Sequence, residues 1–157
     1  MVYFRDACKS FYYSKTMSRL TAYYNKYNLS SLDRPINREP VDTVSELMSK
    51  IDWNWLCKGI PTPFHGDLQF DNILLRNNNS FVLLDWRQDF SDILEYGDKY
   101  YDLAKLNGGI DVSYQKIKQG LFSYEENSDN IEILVKSDLF LKESKQIFND
   151  FVKEHDL

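Results

Sequence analysis

One stretch constrains this chain more than any other: Phe64-His65-Gly66-Asp67-Leu68-Gln69-Phe70-Asp71-Asn72-Ile73-Leu74-Leu75, followed by Phe81-Val82-Leu83-Leu84-Asp85-Trp86. Two short apolar runs, Ile73–Leu75 and Phe81–Leu84, flank Arg76-Asn77-Asn78-Asn79-Ser80, a polar cluster rich in turn formers. This pattern predicts a β-hairpin. Closing the hairpin sets the start of its first strand beside the end of its second, so Asn72 and Asp85 meet at one mouth. Asp67 lies just upstream, on the loop that leads in. Three oxygen-bearing side chains thus converge, the donor type a magnesium ion prefers. Asp and Asn also favour ordinary turns. That preference does not explain why all three fall at one hairpin mouth.

The same trio suits phosphoryl transfer, where a carboxylate orients and deprotonates an attacking hydroxyl while an amide and a second carboxylate hold magnesium on the nucleotide phosphates. The spacing His-x-Asp-x-x-x-x-Asn matches the catalytic loop of protein-kinase-like folds, with Gly66 where protein kinases usually carry Arg. On these residues the chain resembles the aminoglycoside phosphotransferase and choline kinase family of small-molecule kinases. Downstream, Glu95-Tyr96-Gly97-Asp98-Lys99-Tyr100-Tyr101-Asp102-Leu103-Ala104-Lys105-Leu106 looks like the family's segment after the metal-binding Asp, where Asp-Leu-Ala opens a helix.

The resemblance implies roles. Asp67 is the catalytic base or substrate-orienting carboxylate. His65 is grouped with it as a brace of the loop rather than a proton carrier. Asn72 and Asp85 bind magnesium and through it ATP or GTP. Asp102 anchors the loop backbone. Asp89 and Asp98 are candidate substrate contacts, against the plainer readings of a solvated loop carboxylate and a helix N-cap. Gln69 stands where protein kinases have a phosphate-contacting Lys, and Trp86-Arg87 replace Phe-Gly, so no flipping activation segment is expected.

The expected fold is α+β and mainly helical: one domain over residues 1–157 resembling the C-terminal lobe of the protein-kinase-like fold, with the hairpin carrying the catalytic and metal residues. The N-terminal, nucleotide-gripping lobe is expected to be absent. Only 64 residues precede His65, and their pattern is helical. None of the six glycines forms a Gly-x-Gly-x-x-Gly loop. A fragment, a shortened gene or a half supplied by a partner would each produce this.

The net charge of −5, with no basic block, argues against nucleic-acid binding. No apolar run approaches membrane-spanning length. Met1 to Asp6 lacks an apolar leader, and Cys8 and Cys57 read as free thiols. These features lead to a cytoplasmic expectation. His65 and His155 are the only histidines, so a zinc site is not expected.

The scaffold reads as follows. A helix is predicted from about Asp6 to Asn28, with Tyr13, Met17, Leu20, Tyr24 and Tyr27 on one face. Its tyrosines read as packing groups rather than base-stacking ones. A polar linker runs from Asn28 to Pro40. A second helix starts near Asp42 or Thr43, with Glu46 completing a capping box. Trp53, Trp55 and Leu56 read as core anchors, with substrate stacking by a Trp as the alternative. Gly59 to Pro63 is extended. A helix from Tyr101 is expected to stop at Gly108-Gly109, followed by a short helix from Val112 to about Gly120. Leu121–Tyr124 and Ile131–Val135 form a second hairpin with an acidic tip, either solvated or attractive to a cationic substrate. Ser137 or Asp138 caps a last helix with Phe140, Leu141, Ile147, Phe148, Phe151 and Val152 on its buried side.

Two functions fit this reading. The first is an ATP- or GTP-dependent phosphotransferase acting on a hydroxyl of a sugar, an amino alcohol such as choline, or an aminoglycoside. The alternative is a non-catalytic remnant or interaction module that keeps the lobe as a fold.

Overall fold

The computed structural model describes residues 2–28, 34–136 and 139–157. Helix α1 (Val2–Lys9) continues into α2 (Lys15–Tyr27) through a π-helical turn at Ser10–Ser14. A π-turn holds one residue more than an α-turn, so it rotates the apolar stripe around the axis. Upstream, Phe4, Ala7, Cys8 and Phe11 are buried in the core. Downstream, Met17, Leu20 and Tyr24 share a groove with Val44 and Met48. The predicted Tyr13-to-Tyr27 face is therefore only partly covered, with Tyr27 53% exposed. The helix begins before Asp6, and its core-forming stripe is the earlier one.

Helix α3 (Val44–Lys50) opens on the expected capping box: the Glu46 N–H donates to Thr43 Oγ1 at 3.2 Å, and the Thr43 N–H donates to Glu46 Oε2 at 2.8 Å. Thr43→Ala should cost about 1 kcal/mol in a denaturation curve, the usual worth of such a cap. It should leave ligand binding unchanged. Helix α4 (Trp53–Leu56) is capped by Asp52. Trp53 packs edge-on to Tyr13 with ring centroids 5.0 Å apart. Trp55, expected in the core, is 66% exposed; Cys57 takes the buried place beside it.

Among the described residues three two-stranded antiparallel ladders follow. Strand β1 (Pro61–Thr62) pairs with β4 (Gly97–Asp98), β2 (Ile73–Leu75) with β3 (Phe81–Leu83), and β5 (Phe122–Glu126) with β6 (Ile131–Val135). In the last ladder Glu125 and Glu126 lie in the strand, not in the tip. The far part of the expected linker, residues 34–40, is held against β6: the Asn37 N–H donates to Ile131 O, and Asn37 Nδ2 donates to Ile133 O. Helix accounts for about 49% of the chain, so the class is α+β.

Helix α5 (Lys99–Asp111) runs through Gly108 and Gly109 instead of stopping there. Helix α6 (Tyr114–Lys118) and α7 (Leu139–Glu154) complete the chain. Packing overrides the intrinsic cost of the glycines. Lys145 of α7 donates to Asn107 Oδ1 and Asp111 Oδ2 at 2.7 and 2.8 Å, tying down the last turn of α5. The chain turns only at Ser113, which caps α6. On α7, Leu141, Phe148 and Val152 are half-buried, whereas Phe140, Ile147 and Phe151 are exposed, contrary to the predicted buried side. The proposed caps Ser137 and Asp138 lie outside the described residues.

The core centres on Phe90, which is fully buried. Phe11 stacks on it at 4.3 Å, and Phe64 meets it edge-on at 5.6 Å. Phe64 immediately precedes His65, so the core lies directly beneath the loop of interest. Among the described residues, no helix is long and apolar enough to cross a membrane.

Candidate active site

The β2–β3 hairpin closes in the predicted register, with Ile73 opposite Leu83 and Leu75 opposite Phe81. The Leu84 N–H donates to Asn72 O at 2.9 Å, which fixes Asn72 and Asp85 at the same mouth. The segment beyond β3 is tied to the loop as well. The Arg87 N–H donates to His65 O at 2.8 Å, and Arg87 Nε donates to Gly66 O at 3.1 Å. These bonds draw the Asp85 segment against the Asp67 segment.

Gly66 has φ +81°, a region side-chain-bearing residues avoid. A Cβ there would stand 2.4 Å from Arg87 Cβ. Close approach of the two segments therefore requires glycine where protein kinases carry Arg. Gly97 plays a similar part below: a Cβ would lie 2.6 Å from the Phe64 ring.

Asp102, in the first turn of α5, accepts the His65 N–H at 2.6 Å and the Gly66 N–H at 2.7 Å, one on each oxygen. Both donors belong to buried residues. The carboxylate thus holds the loop at its tightest point. His65 is 3% exposed. Its Nδ1 lies 3.2 Å from the Asp67 N–H as acceptor, and its Nε2 is buried without a hydrogen-bond partner among the described residues. This position braces Asp67 and is closed to substrate. The Trp86 ring lies 4.8 Å from the imidazole.

Asn72 is buried, and its Nδ2 donates to Asp67 O at 2.9 Å and to Asp67 Oδ2 at 3.2 Å. The other side of Asp67 meets Lys105, with Nζ 2.8 Å from Oδ1. Partial burial acts to raise the Asp67 pKa, but the Lys105 hydrogen bond and charge, the Asn72 bond and the Arg87 charge hold it below the usual carboxylate range. Lys105 is raised for the reciprocal reason: burial works against its charge, and Asp67 outweighs the burial. Lys105 went unrecognised in the sequence reading. It follows Asp102 by three residues on a helix, so both side chains share one face, and that spacing was the available signal.

The remaining candidates separate. Asp85 is exposed, at φ 55°, and has no hydrogen bond or ion pair among the described residues. Asp89 is half-buried and accepts the Asp92 N–H at 3.2 Å, an ordinary loop arrangement. Asp98 is 1% exposed and accepts from Tyr12 Oη at 2.6 Å, the Ile60 N–H at 2.9 Å and the Tyr100 N–H at 3.2 Å. A substrate contact by Asp98 is thereby corrected: it is an N-cap locked inside the core.

Does the donor set fit magnesium? Among the described residues no three His, Cys, Asp or Glu side chains cluster to hold a metal. The Asn72 amide nitrogen is committed to Asp67, which leaves its oxygen as the acceptor, and the Asp85 carboxylate is unengaged. One amide oxygen and one carboxylate at one mouth fit magnesium, which binds proteins through few ligands and fills its octahedron with water and phosphate oxygens. No family model, curated protein or solved structure gives a significant match to the chain.

Proposed function

We propose that the hairpin mouth is the catalytic half of a phosphotransferase that moves the terminal phosphoryl group of ATP or GTP to a hydroxyl of a small molecule. One observation carries this reading: Asp67, Asn72 and Asp85 share a mouth whose loop is clamped from below by Asp102. A structural role for the loop does not call for that trio. In the reaction, Asp67 Oδ2 orients the acceptor hydroxyl and takes its proton. The hydroxyl oxygen bonds to the terminal phosphorus, the bond from phosphorus to the bridging oxygen breaks, and the nucleoside diphosphate leaves. Asn72 and Asp85 would hold magnesium, which would supply charge neutralisation at the phosphates. Lys105 supplies the cation that position 69 lacks, since an ammonium has three donors to divide between Asp67 and the transferred group.

A second reading rests on the outer face of the hairpin. Leu75 is 64% exposed, Phe81 opposite it 69%, and Trp86 56%. Exposed apolar side chains of this kind suit contact with another body. That body is the nucleotide-gripping half in the first reading and a non-catalytic partner in the second. Isothermal titration with Mg-ATP separates them. Magnesium-dependent binding should weaken at least tenfold in Asp85→Ala. Equal binding by the variant would refute the metal assignment, and no binding to the unaltered chain would favour the second reading.

A further inference from the structure

Cations gather beside the loop, outside the proposed trio. Arg87 Nε donates to Gly66 O at 3.1 Å. That bond fixes the guanidinium at the residue before Asp67, and its charge contributes to the low Asp67 pKa. The side chain is half-buried, and Nη1 and Nη2 have no hydrogen-bond partner among the described residues. Arg87 Cζ also lies 5.3 Å from the centroid of the Phe11 ring, and Lys15 Nζ, likewise half-buried, lies 4.3 Å from the same centroid. Both distances are within cation–π range. Phe11 is buried and stacked on Phe90, so the two cations meet at the edge of the core. Arg19, four residues beyond Lys15 on α2, shares its helix face and adds a third positive charge. None of the three forms an ion pair among the described residues. The Lys15 pKa is lowered, by burial first and then by the charges of Arg87 and Arg19, with the Asp89 charge opposing them.

We infer that Arg87 and Lys15 form a binding site for an oxyanion, the phosphate or carboxylate group of a small molecule, beside the loop that carries Asp67. Like charges held near one another disfavour each other, and a shared anion relieves both. Lys105, on the other side of Asp67, already has its counter-charge at 2.8 Å, and Lys118 has one in Asp71 at 2.9 Å. The pair at Phe11 has none in contact. Arg87 also suits an oxyanion by shape. With Nε engaged, its terminal nitrogens keep their N–H donors in a fixed plane, the geometry that grips two oxygens at once. Lys15 adds a point charge whose donors have no partner among the described residues. A solvated surface cation is the sufficient reading for Arg19, which is exposed. It does not explain two half-buried cations converging on one ring. The site does not depend on phosphoryl transfer. Two sources carry the required chemistry: the phosphates of the nucleotide in the proposed reaction, and an acidic group on the acceptor.

The test uses the intact chain labelled with ¹⁵N. Inorganic phosphate is titrated against chloride at matched ionic strength. Phosphate should shift the Arg87 side-chain Nε–H signal and the Gly66 amide, and chloride should shift neither. Phosphate affinity should fall about tenfold in Arg87→Lys, which keeps the charge and loses the fork. It should fall by a smaller factor in Lys15→Gln, which keeps the fork and loses a charge. Lys15→Gln removes no hydrogen bond of the loop, so the test stands whatever Arg87→Lys does to the fold. Equal shifts from phosphate and chloride overturn the site, as does phosphate affinity unchanged in Lys15→Gln and Arg87→Lys. Mg-ATP, glucose 6-phosphate and gluconate then separate the two sources. Displacement of phosphate from Arg87 by Mg-ATP assigns the site to the nucleotide. Binding of glucose 6-phosphate or gluconate at Arg87 in saturating Mg-ATP assigns it to the acceptor. Phosphate binding at Arg87 in a chain that does not bind Mg-ATP keeps the anion site and counts against the phosphotransferase reading alone.

Discussion

Asp102→Ala should release the His65–Asp67 loop and cost about 2–6 kcal/mol of folding stability. The cause is specific. The Asp102 oxygens accept the N–H groups of His65 and Gly66 at 2.6 and 2.7 Å, and both residues are buried. Without the carboxylate two buried donors lose their partners, at about 1–3 kcal/mol each. Against a total stability of about 5–15 kcal/mol, the loss is large, and the chain stays folded wherever the total exceeds it. Hydrogen exchange at the His65 and Gly66 amides should accelerate far more than in the β5–β6 ladder. Asp102→Asn keeps one acceptor oxygen and should lose about half as much. A loss below about 1 kcal/mol, with exchange unchanged at those two amides, would show that the loop is held by the Arg87 bonds instead.

The site was more legible in the sequence than the scaffold was, for a physical reason. The hairpin is local: a five-residue polar break between two apolar runs decides it, and Asn72 and Asp85 follow from strand geometry. Asp102 was placed through the resemblance, and its two backbone contacts are what such an anchor makes. The errors fell where distant residues decide the outcome. Gly108-Gly109 looked like a stop, but Lys145 on another helix secures that turn. The π-turn at Ser10–Ser14 shifts the buried stripe, and no periodicity of 3.6 can express that shift. On α7 the apolar residues exceed what one face can bury, so composition could not say which of them would stay exposed. Asp98 had two readings, and only burial, with three donors around it, separates them.

Asp67→Asn and Lys105→Ala should move the affinity for Mg-ATP, measured relative to Mg-ADP, in opposite directions. In the resting chain the Asp67 carboxylate and the Lys105 ammonium are 2.8 Å apart, with their side chains 32% and 27% exposed. The Asp67 pKa lies below its ordinary 3.8, so the stability it contributes is present above that pH and is lost as pH falls through the depressed folded value. The Lys105 pKa lies above its ordinary 10.5, so its contribution is present below that pH and is lost as pH rises through the raised value. The pair is therefore intact across the neutral range, and in the proposed reaction Asp67 would meet an acceptor hydroxyl as a carboxylate. Asparagine at 67 removes the negative charge and leaves the ammonium to the terminal phosphate, so Mg-ATP should bind more tightly. Turnover should fall by about 10²–10⁴, the usual worth of a positioned base. Alanine at 105 removes the cation and leaves the Asp67 carboxylate facing the phosphate. A charge-assisted hydrogen bond is worth about 1.5–3 kcal/mol, so Mg-ATP should weaken about tenfold or more while Mg-ADP changes little. A Lys105 that served only to hold Asp67 would give both variants the same sign. In that case the terminal phosphate meets no cation from α5, and the neutralising charge comes from magnesium.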